Sequence, residues 1–350
     1  MPHKSVVTTL LVLGLLVMAR PGMAILAPDA NESMAATTAL LSWSPPTLVN
    51  PITVTLCNCN LFNGQILVNL RLGQDYILTD PVVLEHPVVI QGGHNIVWIG
   101  GLVGPTTTTG AGIQLIRNVG YGGGTIHLEG IYLDGANGLL SDGIVGGEWA
   151  TLYKPTGTLG DATLQIQNVR IDNLSGNSTL THQDCIQHYG GWKEIRVDHF
   201  TCQTLYQGFY FPWEDAATNN QGVLSGWDIR NANLHDAPNS TGSGMQTLIH
   251  FGDLGPAVFN ATSHQQTGNL SNVYLNATQK SLNSETYPNA GTASASQDGT
   301  VVHSTINDDG TITWANTWAI PGFVSPGDPP DGDFVPSWVA GLGYISPGYQ

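Results

Sequence analysis

The chain has 350 residues, 41% of them hydrophobic and only 10% charged, with a formal net charge of −16. That length suits one large or two ordinary domains, and the low charge leaves the surface to Asn, Thr, Ser, Gln and Gly, as in turn-rich β proteins. So acidic a chain repels nucleic acid and anionic lipid, and no basic patch offsets it, which excludes both as partners.

The first 24 residues read as a secretory signal. MPHK is a short basic start, VVTTLLVLGLLVMA is apolar, and RPGMA places Gly22 and Ala24 where a signal peptidase reads. The apolar run is short for a membrane span, which favours a cleaved signal over the alternative of an uncleaved anchor, and no membrane association is expected after its removal. Taking away Lys4 and Arg20 leaves 8 basic and 26 acidic residues, a net charge of −18. Residues 25–50, rich in Ala, Pro and Ser, read as a leader or N-terminal cap.

From residue 51 on, short apolar runs are punctuated by Gly, Asn and Asp: ITVTL, QILVNL, PVVIQGGHNIVWIGG, TIHLEGIYLDG, TLQIQNVRIDN, KEIRVDHF. None has a helical period, and they alternate as strands do. The runs also align with one another. IYLDG (131–135), VRIDN (169–173), IRVDH (195–199) and WDIRN (227–231) superpose, stacking Asp134, Asp172 and Asp198, then Arg230. A second strand follows each, as in SDGIV (141–145), QDCIQ (183–187) and YQGFY (206–210). A period of short strands without a helix describes a solenoid, in which each coil buries its inner face on the next and the ends need caps. At the C-terminal side, VVHSTINDDGTITW reads as a hairpin within a cap spanning 291–350. Asp328, Asp331 and Asp333 there read as a flexible acidic loop, because Pro329-Pro330 breaks EF-hand spacing. The four cysteines, Cys57, Cys59, Cys185 and Cys202, allow three disulfide pairings.

PVVIQGGHNIVWIGG, GIYLDG and DCIQ followed by IRVDHF resemble the right-handed parallel β-helix proteins of the pectate-lyase-like superfamily, over roughly residues 60–260. The resemblance implies an all-β fold, a single right-handed parallel β-helix over 51–290 with a β-rich C-terminal cap. It is specific for fold and poor for function, since that superfamily includes lyases, hydrolases, esterases, epimerases, tailspikes and adhesins.

The chemistry concentrates in THQDCIQHYGGWKEIRVDHFTCQTLYQGFYFPW, residues 181–213. Stacking neighbouring coils about 4.8 Å apart sets Asp184 beside Gln207 and Gln187 beside Tyr210. It sets His182 near Tyr206, and Arg170 level with Arg196, with Lys193 close by. A lyase would use His182, His188, Tyr206 or a basic side chain to remove the proton α to a uronate carboxyl, which Arg170, Arg196 and Lys193 or Ca²⁺ would neutralise. The Asp134/Asp172/Asp198 column is the calcium candidate, with turn-forming Asp as the alternative. A hydrolase would need two carboxyls, one protonated. Asp184 is strongly placed, and Asp142 would be its stacked partner if the long 142-to-184 loop allowed. Gln187, His188, Gln207, Tyr210 and Trp213 would contact sugar. The expectation is a secreted protein acting on an extracellular polysaccharide as lyase or hydrolase over residues 170–215, with a non-catalytic binding or cell-surface module as the alternative.

Overall fold

β-branched and aromatic residues at every second position favour extended chain, because they pack on a pleated surface without losing further rotamers. The computed structural model describes residues 40–59, 61–116, 123–146, 162–174, 183–188, 192–211, 226–237, 247–251, 267–276, 286–287, 303–306, 312–315 and 322–350. Among these residues are twenty strands and no helix.

Two nine-stranded sheets account for eighteen of the strands. The first runs, in spatial order, β1 (Ile52–Thr55), β4 (Tyr76–Thr79), β6 (Ile96–Val103), β8 (Gly124–Asp134), β10 (Ala162–Leu174), β12 (Trp192–Thr204), β14 (Gly226–Asp236), β16 (Thr267–Asn276) and β20 (Gly322–Pro326). The second runs β2 (Leu61–Phe62), β3 (Gln65–Leu70), β5 (Val88–Gly92), β7 (Ile113–Ile116), β9 (Ile144–Gly146), β11 (Asp184–His188), β13 (Gln207–Phe211), β15 (Thr247–Phe251) and β17 (Thr286–Tyr287). Apart from the β2–β3 pair, every neighbour in both sheets is parallel. From β3 to β16 the chain visits the two sheets in strict alternation. The remaining strands, β18 (His303–Ile306) and β19 (Ile312–Ala315), pair antiparallel.

In-register pairing turns the alternation into apolar ladders. Leu78, Trp98, Leu128, Ile166, Val197, Ile229 and Leu270 follow one another across seven strands, all buried. Opposite them Ile66, Val88, Ile113, Ile144, Ile186 and Phe209 make the second sheet's ladder. Each such side chain removed from water contributes about 1.5–3 kcal/mol, and no strand could gain that alone.

The long strands of the first sheet bend in the middle. Gly100, Gly130, Asn168, His199, Asn231 and Asn272 occupy one register position and all have φ between 47° and 70°. Gly and Asn tolerate this left-handed conformation, so a corner can repeat there on six successive strands. The Asn272 side chain donates to Asn231 Oδ1 at 2.7 Å, and Asn231 donates to Asp198 Oδ1 at 2.8 Å, tying corner to corner.

This corner corrects the expected register. Asp134 and Asp172 do stack, but Asp198 pairs with Gln167, five residues earlier than Asp172. IRVDH therefore lies on LQIQN (164–168) rather than on VRIDN. The two segments either side of the corner carry the same apolar alternation, so either superposes on IRVDH. Arg196 is consequently level with Gln165, and Arg170 with Thr201. The Asp column proposed for calcium loses its third member. Among the described residues no group of three or more His, Cys, Asp or Glu is placed to hold a metal ion.

Two segments cover the outward side of the first sheet. Leu41 pairs with Tyr349. Trp43 exchanges two hydrogen bonds with the buried Gln167 side chain. The hydroxyls of Tyr344 and Tyr349 both donate to Glu129, which also pairs with His127 at 2.8 Å. Glu129 and His127 are fully buried, yet these donors outweigh the cost of burial and keep the Glu129 carboxyl below its usual range. Past the corner, residues 328–335 do the same. Asp333 accepts from Arg170 at 2.7 Å and pairs with His235 at 2.9 Å, and Val335 N donates to Thr201 at 3.0 Å. Asp333 is thus not part of a flexible acidic loop, because a buried guanidinium beneath it demands a counter-charge. The disulfides are Cys57–Cys59 and Cys185–Cys202.

Candidate functional site

Asp142 lies two residues before β9 and Asp184 opens β11. Ile144 pairs with Ile186, which brings the two aspartates into register on adjacent strands despite the long connection between them. Gly143 N donates to Asp184 O at 2.8 Å and Asp184 N donates to Asp142 Oδ1 at 3.2 Å. Ser141 Oγ adds a 3.0 Å hydrogen bond to the other Asp142 oxygen. Gly143 is required at this point. A Cβ there would come within 2.6 Å of Cys185 O and of Ile171.

Both carboxyls are buried, and Asp184 is 0% exposed with neither oxygen hydrogen-bonded among the described residues. Burial raises the Asp142 carboxyl to about 6. Burial and the Asp142 charge beside it push Asp184 well above the usual carboxylate range. Two carboxyls this close cannot both ionise at neutral pH, so one keeps its proton while the other is charged. Such a pair offers an acid and a base at one place. The half-buried Tyr206 phenol joins them. Burial and the Asp184 charge raise it above its ordinary value.

The other residues of the 181–213 stretch divide. Asp184 pairs with Gln207 and Gln187 with Tyr210, the register read from the sequence. His188 pairs with Gly146, and both its ring nitrogens are buried without a partner among the described residues. Burial lowers it to about 4, so it is a neutral imidazole in the interior rather than a ligand on the surface. The buried Trp192 packs against Gly146. A Cβ on Gly146 would lie 2.3 Å from the Trp192 indole nitrogen.

The cations do not join Asp184. Arg196 precedes the His199 corner on the first sheet, where its guanidinium donates to Glu194 at 2.7 Å and lies 5.9 Å from the Trp43 ring centroid. Arg170 follows the Asn168 corner, fixed by Asp172 at 2.7 Å, Asp333 and Val335 O at 2.6 Å. Arg170 thus stands on a different strand from Arg196, on the far side of the corner, so the groups expected to neutralise one uronate do not converge. Lys193 is exposed on β12, also on the first sheet. His182 and Trp213 lie outside the described residues, as do the signal segment and most of the leader.

The His127–Glu129 pair has a signal in the sequence, the alternation His-Leu-Glu, which puts both polar side chains on one face of a strand. Its covering by Tyr344 and Tyr349 has none. A scan against models of protein families finds no match for the chain, and neither do searches of curated proteins and of solved structures.

Proposed function

We propose that the chain winds as a right-handed parallel β-helix of the pectate-lyase-like kind, is secreted, and hydrolyses glycosidic bonds of an extracellular polysaccharide with Asp142 and Asp184. The carrying observation is the carboxyl pair in register on β9 and β11, with Asp184 fully buried beside Asp142. Strict alternation between two parallel sheets favours the helix, and parallel crossovers are right-handed in about 98% of cases. Two disulfides suit an oxidising compartment, in keeping with the signal-like first 24 residues. Hydrolysis is favoured over elimination because Arg170 and Arg196 are already paired with carboxylates. In this reading Asp184 donates a proton to the leaving oxygen, Asp142 acts as the base or nucleophile, and Tyr206 orients the sugar beside them.

Complete burial of Asp184 favours a second reading, polysaccharide binding without chemistry. One experiment separates them. The chain from residue 25 is incubated with neutral and acidic polysaccharides, with and without Ca²⁺, while new reducing ends and the unsaturated-uronate absorbance are followed. Reducing ends alone, lost by about 10²–10⁴-fold in Asp184→Asn, is the expected result. Absorbance rising with them refutes hydrolysis, and binding without either product establishes the second reading.

A further inference from the structure

A cleft of about 350 Å³ opens on the first sheet, on β4 and β6, away from the strands that carry Asp142 and Asp184. Asp80, Thr55, Thr79, Ile99, Leu342 and Tyr344 are among the residues that line it. Its volume is at the small end of ligand sites, which span about 300–1,000 Å³.

Asp80 is the unusual member. It is 9% exposed, and among the described residues no cation pairs with it. The Trp98 indole N–H donates to Oδ1 at 2.9 Å and Leu102 N to Oδ2 at 3.0 Å, and the backbone N–H of Asp80 adds a third bond, fixing the carboxyl plane while leaving it acceptor capacity for a further donor. Gly101 makes room for it, since a Cβ there would come 2.7 Å from the nearer carboxylate oxygen. The Thr55 and Thr79 hydroxyls, 3.4 Å apart, supply rotating donors and acceptors. Ile99 and Leu342 are 40% and 44% exposed, large apolar side chains left in water at the rim.

A fixed acceptor, two hydroxyls and an apolar wall in one small concavity match one kind of molecule. We infer that this cleft is a binding subsite for a neutral sugar ring, whose hydroxyls donate to Asp80 and exchange hydrogen bonds with Thr55 and Thr79 while its C–H face lies on Ile99 and Leu342. The Asp80 charge and the net charge of −16 disfavour uronates, phosphates and other anions. Burial raises the Asp80 carboxyl to about 6, so a hydroxyl donor that stabilises its charged form binds more tightly above that pH. The subsite does not depend on the hydrolytic reading, because it shares no residue with the carboxyl pair.

Trp98 supplies the reporter. The full chain is titrated with cellotetraose, xylotetraose and mannotetraose, with tetragalacturonate as the anionic control. The Trp98 indole N–H resonance is followed, assigned by its loss in Trp98→Phe. At least one neutral tetrasaccharide should move that resonance saturably, tetragalacturonate should not, and Asp142→Asn should bind as the parent does. Thr79→Arg and, separately, Ile99→Arg place a bulky side chain at exposed positions of the rim, and each should weaken binding tenfold or more. The inference is overturned if no neutral probe moves the Trp98 resonance, if tetragalacturonate moves it more, or if both Arg variants bind unchanged. Loss of hydrolysis in Asp142→Asn with sugar binding intact would bear on the carboxyl pair alone.

Discussion

Replacing Asp142 by Asn should change how stability depends on pH, and the magnitude follows from two buried groups that oppose one another. Asp142 has its folded pKa raised from 3.8 to about 6. A raised carboxyl contributes stability that is complete below its unfolded pKa and lost as pH rises through the folded one. At about 1.4 kcal/mol per pKa unit, that loss is about 3 kcal/mol between pH 4 and pH 7. His188 runs the other way. Its folded pKa is depressed from 6.5 to about 4, so its cost is greatest at low pH and disappears as pH rises past the unfolded value, a gain of about 3 kcal/mol over the same interval. The two nearly cancel. In Asp142→Asn the new amide keeps an oxygen for Asp184 N and offers Ser141 an N–H, so the substitution removes the titration with little lost bonding. Urea midpoints at half-unit steps from pH 4 to 8 measure it. The variant should match the parent near pH 4 and exceed it by about 1–3 kcal/mol at pH 7. Its profile should climb relative to the parent's across this interval. Parallel profiles for variant and parent would refute the reasoning, because Asp142 would then titrate alike in the folded and unfolded chain.

Three other outcomes test the coverings and the core. Asp333→Asn leaves Arg170 and His235 short of a charge and should cost at least about 2 kcal/mol at pH 7, less than the about 3–5 kcal/mol of a fully buried pair because Asp333 is partly exposed. Arg170 and His235 hold the Asp333 carboxyl far below its usual range despite burial, so its contribution is present above about pH 4 and fades as pH falls further; urea unfolding of parent and variant at pH 7 and pH 3 reads the difference. Gly130→Ala puts a Cβ 2.1 Å from the Tyr344 ring at a φ of 66°, so it should speed proteolytic cleavage within 341–350 while cleavage elsewhere is unchanged. Replacing both Cys185 and Cys202 by Ala opens a link between residues 17 apart, expected to cost about 3 kcal/mol in chemical unfolding, and in the parent the fully buried pair should resist dithiothreitol until urea is added.

The strands were legible because their alternation is local, and so was the Asp184–Gln207 register, which follows from matching DCI to QGF. The slip of IRVDH onto VRIDN has a physical origin. Each long strand repeats the same period on both sides of a left-handed corner, and apolar alternation cannot tell one side from the other. The corner residue does not separate them either, because Asn168 and Asn173 both have positive φ and each ends one of the two candidate segments. The long connection between Asp142 and Asp184 hides their pairing in the sequence, yet strand register does not depend on the length of the loop between. The pairing of Arg170 with Asp333 joins residues 163 positions apart, and that of Tyr344 with Glu129 joins residues 215 apart. Neither leaves a local pattern, which is why Arg170 looked available for a substrate carboxylate.

The separation between Tyr344 and Glu129 also bears on the order in which the chain can complete itself. Stacked strands can in principle assemble progressively as each leaves the ribosome or crosses a membrane, because each needs only its neighbour. Here Glu129 waits for hydroxyls made more than 200 residues later, and Arg170 waits for Asp333. Until then a buried-to-be carboxylate faces solvent on an unfinished surface. Residues 328–349 work as a clasp fastened across strands already laid down, and a chain interrupted before residue 328 would keep its ladders while remaining open to proteases along one side.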